Sequence, residues 1–468
     1  MELPAGWVST TLGDVADWGS GGTPKSGVSD YYGGDIPWVV SGDLNDKTIH
    51  SATSTITSDG LNSSSAKWVP EGSVLVAMYG ATIGKLGITG RPLTTNQAIA
   101  FASPYHNLID KRFLFWYLRS QRDALRKTGK GGAQPNISQT ILKAWPIPVP
   151  PLAEQHRIVE ALEDHLSRLD AASAGVKRCV TRSIHLWEAT LNNVAEGALD
   201  GKKVDSETRP VSEVAEVSGG IQKQKKRIPI LNTFPFLRVA NVARGRLNLS
   251  EIHEIELFSG ELEKHQLKRG DLLVVEGNGS PDQIGRAACW HDNIQNAVHQ
   301  NHLIRVRPGK QLIPRYLELI WNSPVVINQL REVARSTSGL YTLSTSKVKA
   351  VQIPVPSLAD QEALVAKADT WETYTLAARA SLQRASVRSK SLRHAVLNRA
   401  FNGDLVPQDP ADEPASVLLD RIRAEREAQG GKAKRGTRRP RKAADAAPSP
   451  APASTPSPAT AVQQELPL

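Results

Sequence analysis

Along this chain, two stretches place apolar residues at alternating three- and four-residue steps. The first runs Val159, Leu162, Leu166, Leu169, Val176, Val180, Trp187, Leu191 and Val194, interrupted at Ser173 and Ser183. The second runs Leu364, Ala368, Trp371, Ala378, Leu382, Ala385, Leu392 and Val396. Such spacing draws one apolar seam along one face of a helix. Neither stretch contains proline, and Gly201 and Gly403 stand where a left-handed glycine would close each helix. At about 1.5 Å per residue, some 45 residues make a helix of roughly 65–70 Å. A single helix of that length cannot bury its seam alone. The expected solution is an antiparallel coiled coil of the two, with an approximate two-fold axis and a globule toward each end.

Elsewhere the pattern changes. Residues 1–150 and 202–356 are rich in Gly, Ser, Thr and Asn and carry short β-branched runs, such as 74–78 and 272–275, separated by turn residues. That is the pattern of strand-rich α/β (α+β) globules. One helix is expected near the end of each, at 111–127 and 313–335. An Ile-Pro-Val-Pro strand then closes each globule, because its prolines cannot donate to further pairing. The expected order is a globule at 1–150, a long helix at 151–201, a globule at 202–356, a long helix at 357–404 and a tail at 405–468. Within the tail, 411–429 predicts a short helix, 432–442 is basic without an acid, and the Ala/Pro/Ser-rich 443–460 predicts disorder.

The two halves are copies. Ile147-Pro148-Val149-Pro150-Pro151-Leu152-Ala153-Glu154-Gln155 recurs as Ile353-Pro354-Val355-Pro356-Ser357-Leu358-Ala359-Asp360-Gln361, 206 positions on. Ile36-Pro37-Trp38-Val39 answers Phe234-Pro235-Phe236-Leu237, and Glu71-Gly72-Ser73-Val74-Leu75-Val76 answers Arg269-Gly270-Asp271-Leu272-Leu273-Val274, both 198 positions on. Ile83-Gly84-Lys85 matches Ile284-Gly285-Arg286, and Asn96-Gln97-Ala98-Ile99 matches Asn301-His302-Leu303-Ile304. Five ordered matches establish a tandem duplication. The offset falls to 202 between Gly201 and Gly403, so the first helix is expected to be about one turn longer.

Charge separates the copies. The chain of 468 residues carries a net charge of +10. Residues 1–150 hold 13 Lys and Arg against 11 Asp and Glu, whereas 202–356 hold 22 against 15. A basic folded body, unlike a basic tail, implies a shaped surface for a polyanion. No apolar run reaches the roughly 18–20 residues of a membrane span. With two cysteines and no secretory leader pattern, a reduced, cytoplasmic protein is expected.

Catalytic constellations are not found. The sequence has no G-x-x-x-x-G-K-[ST], no H-E-x-x-H, no Cys-x-x-Cys and no Asn-Pro-Pro-aromatic run. Gly19-Ser20-Gly21-Gly22 lacks the strand and helix of a dinucleotide fingerprint and reads as a flexible loop. Asp200-Gly201-Lys202 has no suitably spaced upstream acid, so it does not read as a nuclease site. Cys179 and Cys289 read as structural. His299 and His302 fall in 297–306, which reads as a strand; residues three apart there face opposite ways, so they do not form a metal pair.

What remains is binding chemistry in loops. In the first globule the candidates are Lys25, Tyr79, Thr82, Lys85, Gln134 and Asn136. In the second they are Lys223, Gln224, Lys225, Lys226, Arg227, Arg238, Arg244, Asn278, Gln283, Arg286 and Tyr341. Arg and Lys reach guanine edges and phosphates, and Asn and Gln pair bidentately with adenine.

The duplicated plan, with Leu-Ala-(Glu/Asp)-Gln opening each long helix, resembles the DNA-specificity subunit of type I restriction–modification systems. Tyr79-Gly80-Ala81-Thr82-Ile83-Gly84-Lys85, Asn96-Gln97 and His299-Gln300-Asn301-His302-Leu303 carry the same resemblance, which spans residues 1 to about 401. It implies that each globule is a target-recognition domain for half of a split, asymmetric sequence in double-stranded DNA, and that the helices set the gap. It further implies that the helices dock two methyltransferase subunits carrying S-adenosylmethionine, and that translocase–nuclease subunits using ATP and Mg complete the restriction enzyme. On this resemblance the chain binds no cofactor or metal, holds no catalytic residue and has no membrane partner. The second globule departs from the pattern, with Glu276-Gly277-Asn278-Gly279-Ser280-Pro281-Asp282-Gln283 in place of Tyr-Gly-Ala-Thr. Two other readings are a stand-alone bipartite DNA-binding regulator and a self-contained nuclease or methyltransferase; the missing motifs argue against the latter. Ile158, Ile184 and Leu186 widen the apolar face of the first helix, which favours docked partners over a solitary regulator.

Overall fold

The computed structural model describes residues 3–129, 136–199, 201–278, 283–334 and 341–434. The chain forms two compact units, Met1–Ala161 with Leu397–Leu468, and Leu162–Val396. In the first, a five-stranded sheet runs in the order Ala16–Ser20, Ile99–Pro104, Val74–Ala77, Leu86–Thr89, Lys47–Ile49. All neighbours are antiparallel except the last pair. A second sheet orders Ser54–Ile56, Tyr32–Val39, Leu93–Thr95 and Trp68–Val69. Every residue of Val74–Ala77 and Leu86–Thr89 is buried, as continuous apolar runs require. Leu75, Ala77, Ile99 and Phe101 share a core with Val39, Val69 and Leu93, tying the sheets together.

The second unit repeats this topology. Its main sheet orders Ala215–Gly219, Leu303–Pro308, Leu272–Val275 and Ala287–Cys289, with no fifth strand among the described residues. Its second sheet orders His253–Glu256, Thr233–Leu237 and Val298–His299. The parallel pairing Trp38↔Thr94 recurs as Phe236↔Val298. The Ile-Pro-Val-Pro strands pair with the opening strands, Val8–Thr11 with Pro146–Val149 and Ser206–Pro210 with Gln352–Pro356.

Each helix expected near the end of a globule is in fact two. They are Lys111–Ser120 and Arg122–Thr128, then Pro314–Trp321 and Pro324–Ala334. At each break a serine hydroxyl donates to the carbonyl three residues back, Ser120 to Tyr117 at 2.7 Å and Ser323 to Ile320 at 2.6 Å. In the second copy Pro324 cannot donate an N–H into the preceding turn, so it opens a new helix instead.

The long helices are Leu152–Ala195 and Leu358–Asn402, 44 and 45 residues. The expectation of an extra turn in the first therefore fails. Gly197, at φ +68°, ends it, and Gly403, at φ +82°, ends the second. Both pairs, Leu152 with Leu358 and Gly197 with Gly403, lie 206 positions apart. Gly201 turns a separate hairpin between Ala198–Leu199 and Lys202–Lys203, and that insertion produced the drifting offset.

The start of each long helix is bolted to its globule by one buried glutamine. Gln155 accepts the Asp110 N–H at 2.8 Å and donates to the carbonyls of Leu108 and Pro150 at 2.8 and 2.9 Å. Gln361 accepts the Ile313 N–H at 2.9 Å and donates to Gln311 and Pro356 at 2.8 and 2.9 Å. The repeated Leu-Ala-(Glu/Asp)-Gln motif is this staple.

In the second unit the helices pair antiparallel: Asp170 meets Arg393, Ser173 meets Ser389 and Ser183 meets Arg379. The seam is only partly interior. Val159, Leu162, Leu166, Leu191, Leu364 and Ala368 are buried, and Leu169, Val176, Trp187 and Leu382 are half-buried. Val180, Trp371 and Leu392, expected inside, are 36%, 41% and 43% exposed. Two isolated helices meet along one line, too narrow to cover every seam residue. The first helix ends in the core of the second globule, where Leu191 and Val194 pack with Leu364 and Ala368. In the first unit, Phe401 of the second helix stacks edge-on with Phe113 and Tyr117.

The beginning of the tail is folded. Ala415–Lys434 is helical, and its Ala415, Leu418, Leu419 and Ile422 are buried. Asp412 pairs with Arg157 at 2.6 Å, and the Ala415 N–H donates to Gly6. Residues 435–468 lie outside the described residues, as do Asp200 and Gln134. No helix among the described residues is long and apolar enough to cross a membrane.

Candidate nucleic-acid interface

In the first unit, strand direction sends three loops to one edge of the main sheet: 20–25, 78–85 and 96–98. The Asn96–Gln97 turn is their hub. Its Asn96 N–H donates to Val39, and the Ala98 carbonyl accepts from Met78. Gly22 donates to Thr95, and the Thr23 hydroxyl bonds the Gln97 side chain. Met78 in turn accepts the Ile137 N–H, and Tyr79 bridges Asn136. Lys25, Gln97, Tyr79 and Asn136, distant in sequence, therefore line one exposed rim.

The glycines at 21–22 do not form the flexible loop expected of them. Both are buried, and a Cβ on Gly21 would lie 2.0 Å from the Thr95 carbonyl oxygen. Close backbone approach requires glycine there. The far side of the rim is clamped: Arg122 binds Asp46 with both terminal nitrogens and donates through Nε to the Gly84 carbonyl at 2.6 Å. Burial opposes the Asp46 charge, but Arg122 outweighs it and holds the carboxyl below its usual range. Thr82 donates to the Tyr79 carbonyl, and the Lys85 N–H donates to Thr82, so these residues shape the loop through its backbone.

The second unit rebuilds this rim bond for bond. Gln300 N–H donates to Leu237, Glu276 N–H to His302, Leu303 N–H to Gln300 and Leu343 N–H to Glu276. Gly277 pairs with Thr342 where Tyr79 bridges Asn136, and Asn278 pairs with Tyr341 one position farther along. These bonds align Asn96 with Gln300, one residue away from the Asn301 suggested by the motif match. The side chains of Asn278 and Tyr341 lie outside what the structure describes. His299 is fully buried, not at a polar strand edge, and burial followed by Arg305 pushes its pKa down to about 3. His302 is exposed and meets Glu276 at 2.9 Å.

The cations divide by what they already hold. Lys223, Gln224, Lys225 and Lys226 are exposed on the loop that leaves the rim. Arg238 follows Leu237 beside the Gln300 turn; its 3.0 Å pair with the largely exposed Glu251 is weak enough to open. Arg244 and Gln283 are exposed. Arg244 turns a hairpin against Ala287–Cys289. Arg286 is spent on the fold, donating to the carbonyls of Val242, Gln283 and Val239, and burial lowers its pKa. Arg227 makes a two-pronged pair with Glu261 at 2.7 Å for both bonds. Cys289 is buried, which pushes its thiol up, while Cys179 is exposed.

Arg227 holds Glu261 down at about 2. A carboxyl with a lowered folded pKa contributes stability above its ordinary range and loses it as pH falls toward the lowered value. The Arg227 anchor is thus expected to survive to about pH 4 and to fail toward pH 2. A carboxyl NMR titration of Glu261 checks this: Arg227→Met should return it to the ordinary carboxylate range, and an unchanged titration would refute the assignment.

Comparison with known proteins points to one family. The model of the type I restriction modification DNA specificity domain matches residues 4–177. The chain is 25% identical over 461 residues to the type I restriction enzyme EcoKI specificity subunit of Escherichia coli K12, covering 92% of this chain and 98% of that protein. Over nearly its whole length the chain is thus similar to type I specificity subunits. The StySPI specificity subunit of Salmonella potsdam is 24% identical with the same coverage. A solved chain from work on complex assembly and conformational transition of the type I R-M system superposes with a TM-score of 0.69 at 19% identity, covering 86% of this chain and 100% of that one. The HsdS subunit of Thermoanaerobacter tengcongensis gives 0.53 at 17% identity, covering 86% and 98%. Both show that the chain shares their fold.

Sequence reasoning missed three parts of the rim. Gln97 at the hub, the Asp46–Arg122 clamp and the buried glycines were not among the contact candidates. The Asn96-Gln97 pair, which carries part of the family resemblance, was the available signal for the first. Nothing in the sequence pairs Asp46 with Arg122, which are 76 positions apart.

Proposed function

We propose that this chain reads a two-part, asymmetric site in double-stranded DNA, one half-site per rim. The observation that carries this reading is the same backbone rim built twice with unlike side chains. Lys25, Gln97, Tyr79 and Asn136 face out in the first unit. In the second, residues 220–250 hold seven Lys and Arg and no Asp or Glu. Like frames with unlike contacts read unlike sequences, and the more basic rim supplies more of the salt-dependent affinity.

The apolar residues left bare on the helices support docked partners. Val180, Ile184 and Leu186 on the first helix, and Trp371, Tyr374, Leu376, Val387 and Leu392 on the second, are all at least one-third exposed. Two methyltransferase subunits are the occupants proposed, supplying S-adenosylmethionine, with translocase–nuclease subunits supplying ATP- and Mg-dependent restriction. This chain itself contributes no catalytic group and works in the cytoplasm.

Single-molecule methylation sequencing tests the reading. DNA from cells expressing this chain with its methyltransferase subunit is expected to carry N6-methyladenine in one split motif, absent when the chain is omitted. A motif that appears without the chain, or none with a competent methyltransferase present, would overturn it.

A further inference from the structure

The segment 222–232 of the second unit stands apart on the surface. Ile228, Ile230 and Leu231 are 63%, 76% and 91% exposed, and among the described residues no other large apolar side chain matches Ile230 or Leu231. The segment is nevertheless tightly held at its base. Glu256 accepts the N–H groups of Ile230, Leu231 and Asn232 at 2.8, 3.1 and 2.8 Å, which keep its carboxyl below the usual range. The Leu257 N–H donates to the Asn232 carbonyl at 3.0 Å. Arg227 closes the other side on Glu261 and lies 4.6 Å over the Phe258 ring. A tip anchored this way holds its apolar side chains out in water, at a standing cost in hydration.

Charge names the occupant. Lys223, Lys225 and Lys226 precede the tip, and no acid occurs anywhere in 220–250. Among the described residues Lys223 and Lys225 are in no ion pair. The segment leaves the rim at Ile221, whose N–H donates to His299, and re-enters the fold at the strand Thr233–Leu237. Lysines suit phosphates, and an apolar tip suits the space between base pairs once a step is opened.

We propose that Ile230 and Leu231 form a wedge that enters DNA at one base step of the half-site read by the second unit, braced on the phosphates by Lys223, Lys225 and Lys226. The proposal rests on the DNA-reading function above and deepens it. Recognition at that half-site includes the ease with which one step opens, and the readily unstacked pyrimidine–purine steps are the class it takes.

The test uses the full chain assembled with its methyltransferase subunits and duplexes of the methylated motif, with 2-aminopurine placed at each step in turn. Fluorescence should rise severalfold at one step of one half-site. The double variant I230S/L231S should abolish that rise and weaken binding at least about tenfold at an unchanged salt slope. Its thermal midpoint should hold, since the replaced side chains are exposed. K223A/K225A should instead lower the salt slope and keep the fluorescence. No rise at any step, or wild-type binding by I230S/L231S, would overturn the wedge while motif-dependent methylation kept the DNA-reading function intact. Loss of methyltransferase subunits from I230S/L231S on gel filtration would overturn it in favour of a protein contact. Loss of the chain's effect on methylation in the wild type would overturn the underlying reading instead.

Discussion

Gln361→Ala is expected to destabilise the second unit by about 2–4 kcal/mol, because it removes three hydrogen bonds of a buried side chain and strands the Pro356 carbonyl. Gln361 is fully buried and so is its bond to the Pro356 carbonyl, while its bonds to the Ile313 N–H and the Gln311 carbonyl are part-buried. Gln361→Glu should be no better, because a carboxylate would face two carbonyl oxygens. Urea unfolding followed through the buried Trp290 and Trp321 measures the loss. Hydrogen exchange at the Ile313 amide locates it. Gln155→Ala should do the same to the first unit, exposing the Asp110 amide to exchange. A cost below about 1 kcal/mol would mean that the glutamine is incidental to the junction of globule and helix.

Gly220→Ala is expected to abolish reading by the second unit while leaving the first at work. The new Cβ would sit 2.3 Å from the His299 oxygen and 2.4 Å from the Gln300 oxygen, both backbone atoms at the rim's hub. Either the loop 220–232, which carries the proposed contacts, or the turn at 299–301, which holds that loop in place, must move. Specific affinity should fall at least about 100-fold, toward nonspecific binding, with the salt dependence largely kept. Gly21→Ala, which brings a Cβ to 2.0 Å from the Thr95 oxygen, should do this to the other half-site. Gly219→Ala and Gly27→Ala meet nothing within 4 Å and serve as controls in the same loops. Competition binding on duplexes mutated in one half-site at a time separates the effects. Equal affinity for Gly219→Ala and Gly220→Ala would refute the packed-rim account.

The large plan was readable from sequence because it rests on local periodicity. A seam repeated every three or four residues makes a helix whatever surrounds it, and a duplicated motif implies a duplicated fold. The two long helices, the paired globules and the closing Ile-Pro-Val-Pro strands follow from that. The end of the first helix was misplaced because Asp200-Gly201 and Gly197 look alike as stop signals. Which glycine ends the helix and which turns the hairpin depends on pairing between Ala198–Leu199 and Lys202–Lys203.

The site was readable by residue type but not by role. Lys25, Tyr79 and Asn136 are unremarkable polar residues until strand direction carries their loops to one edge. Arg227, Arg286 and Lys223 look equivalent as cations. Only packing shows that Glu261 holds the first and three carbonyls hold the second, while Lys223 stays exposed. The glutamine staples make the same point. Repetition marks Gln155 and Gln361 as special, yet their partners are chosen by the chain's return to the globule 45 to 50 positions away. Sequence determined what repeats, because backbone conformation follows short-range pattern. Tertiary structure alone decided which side chains are spent and which are offered, because that depends on which neighbours folding brings within hydrogen-bond reach.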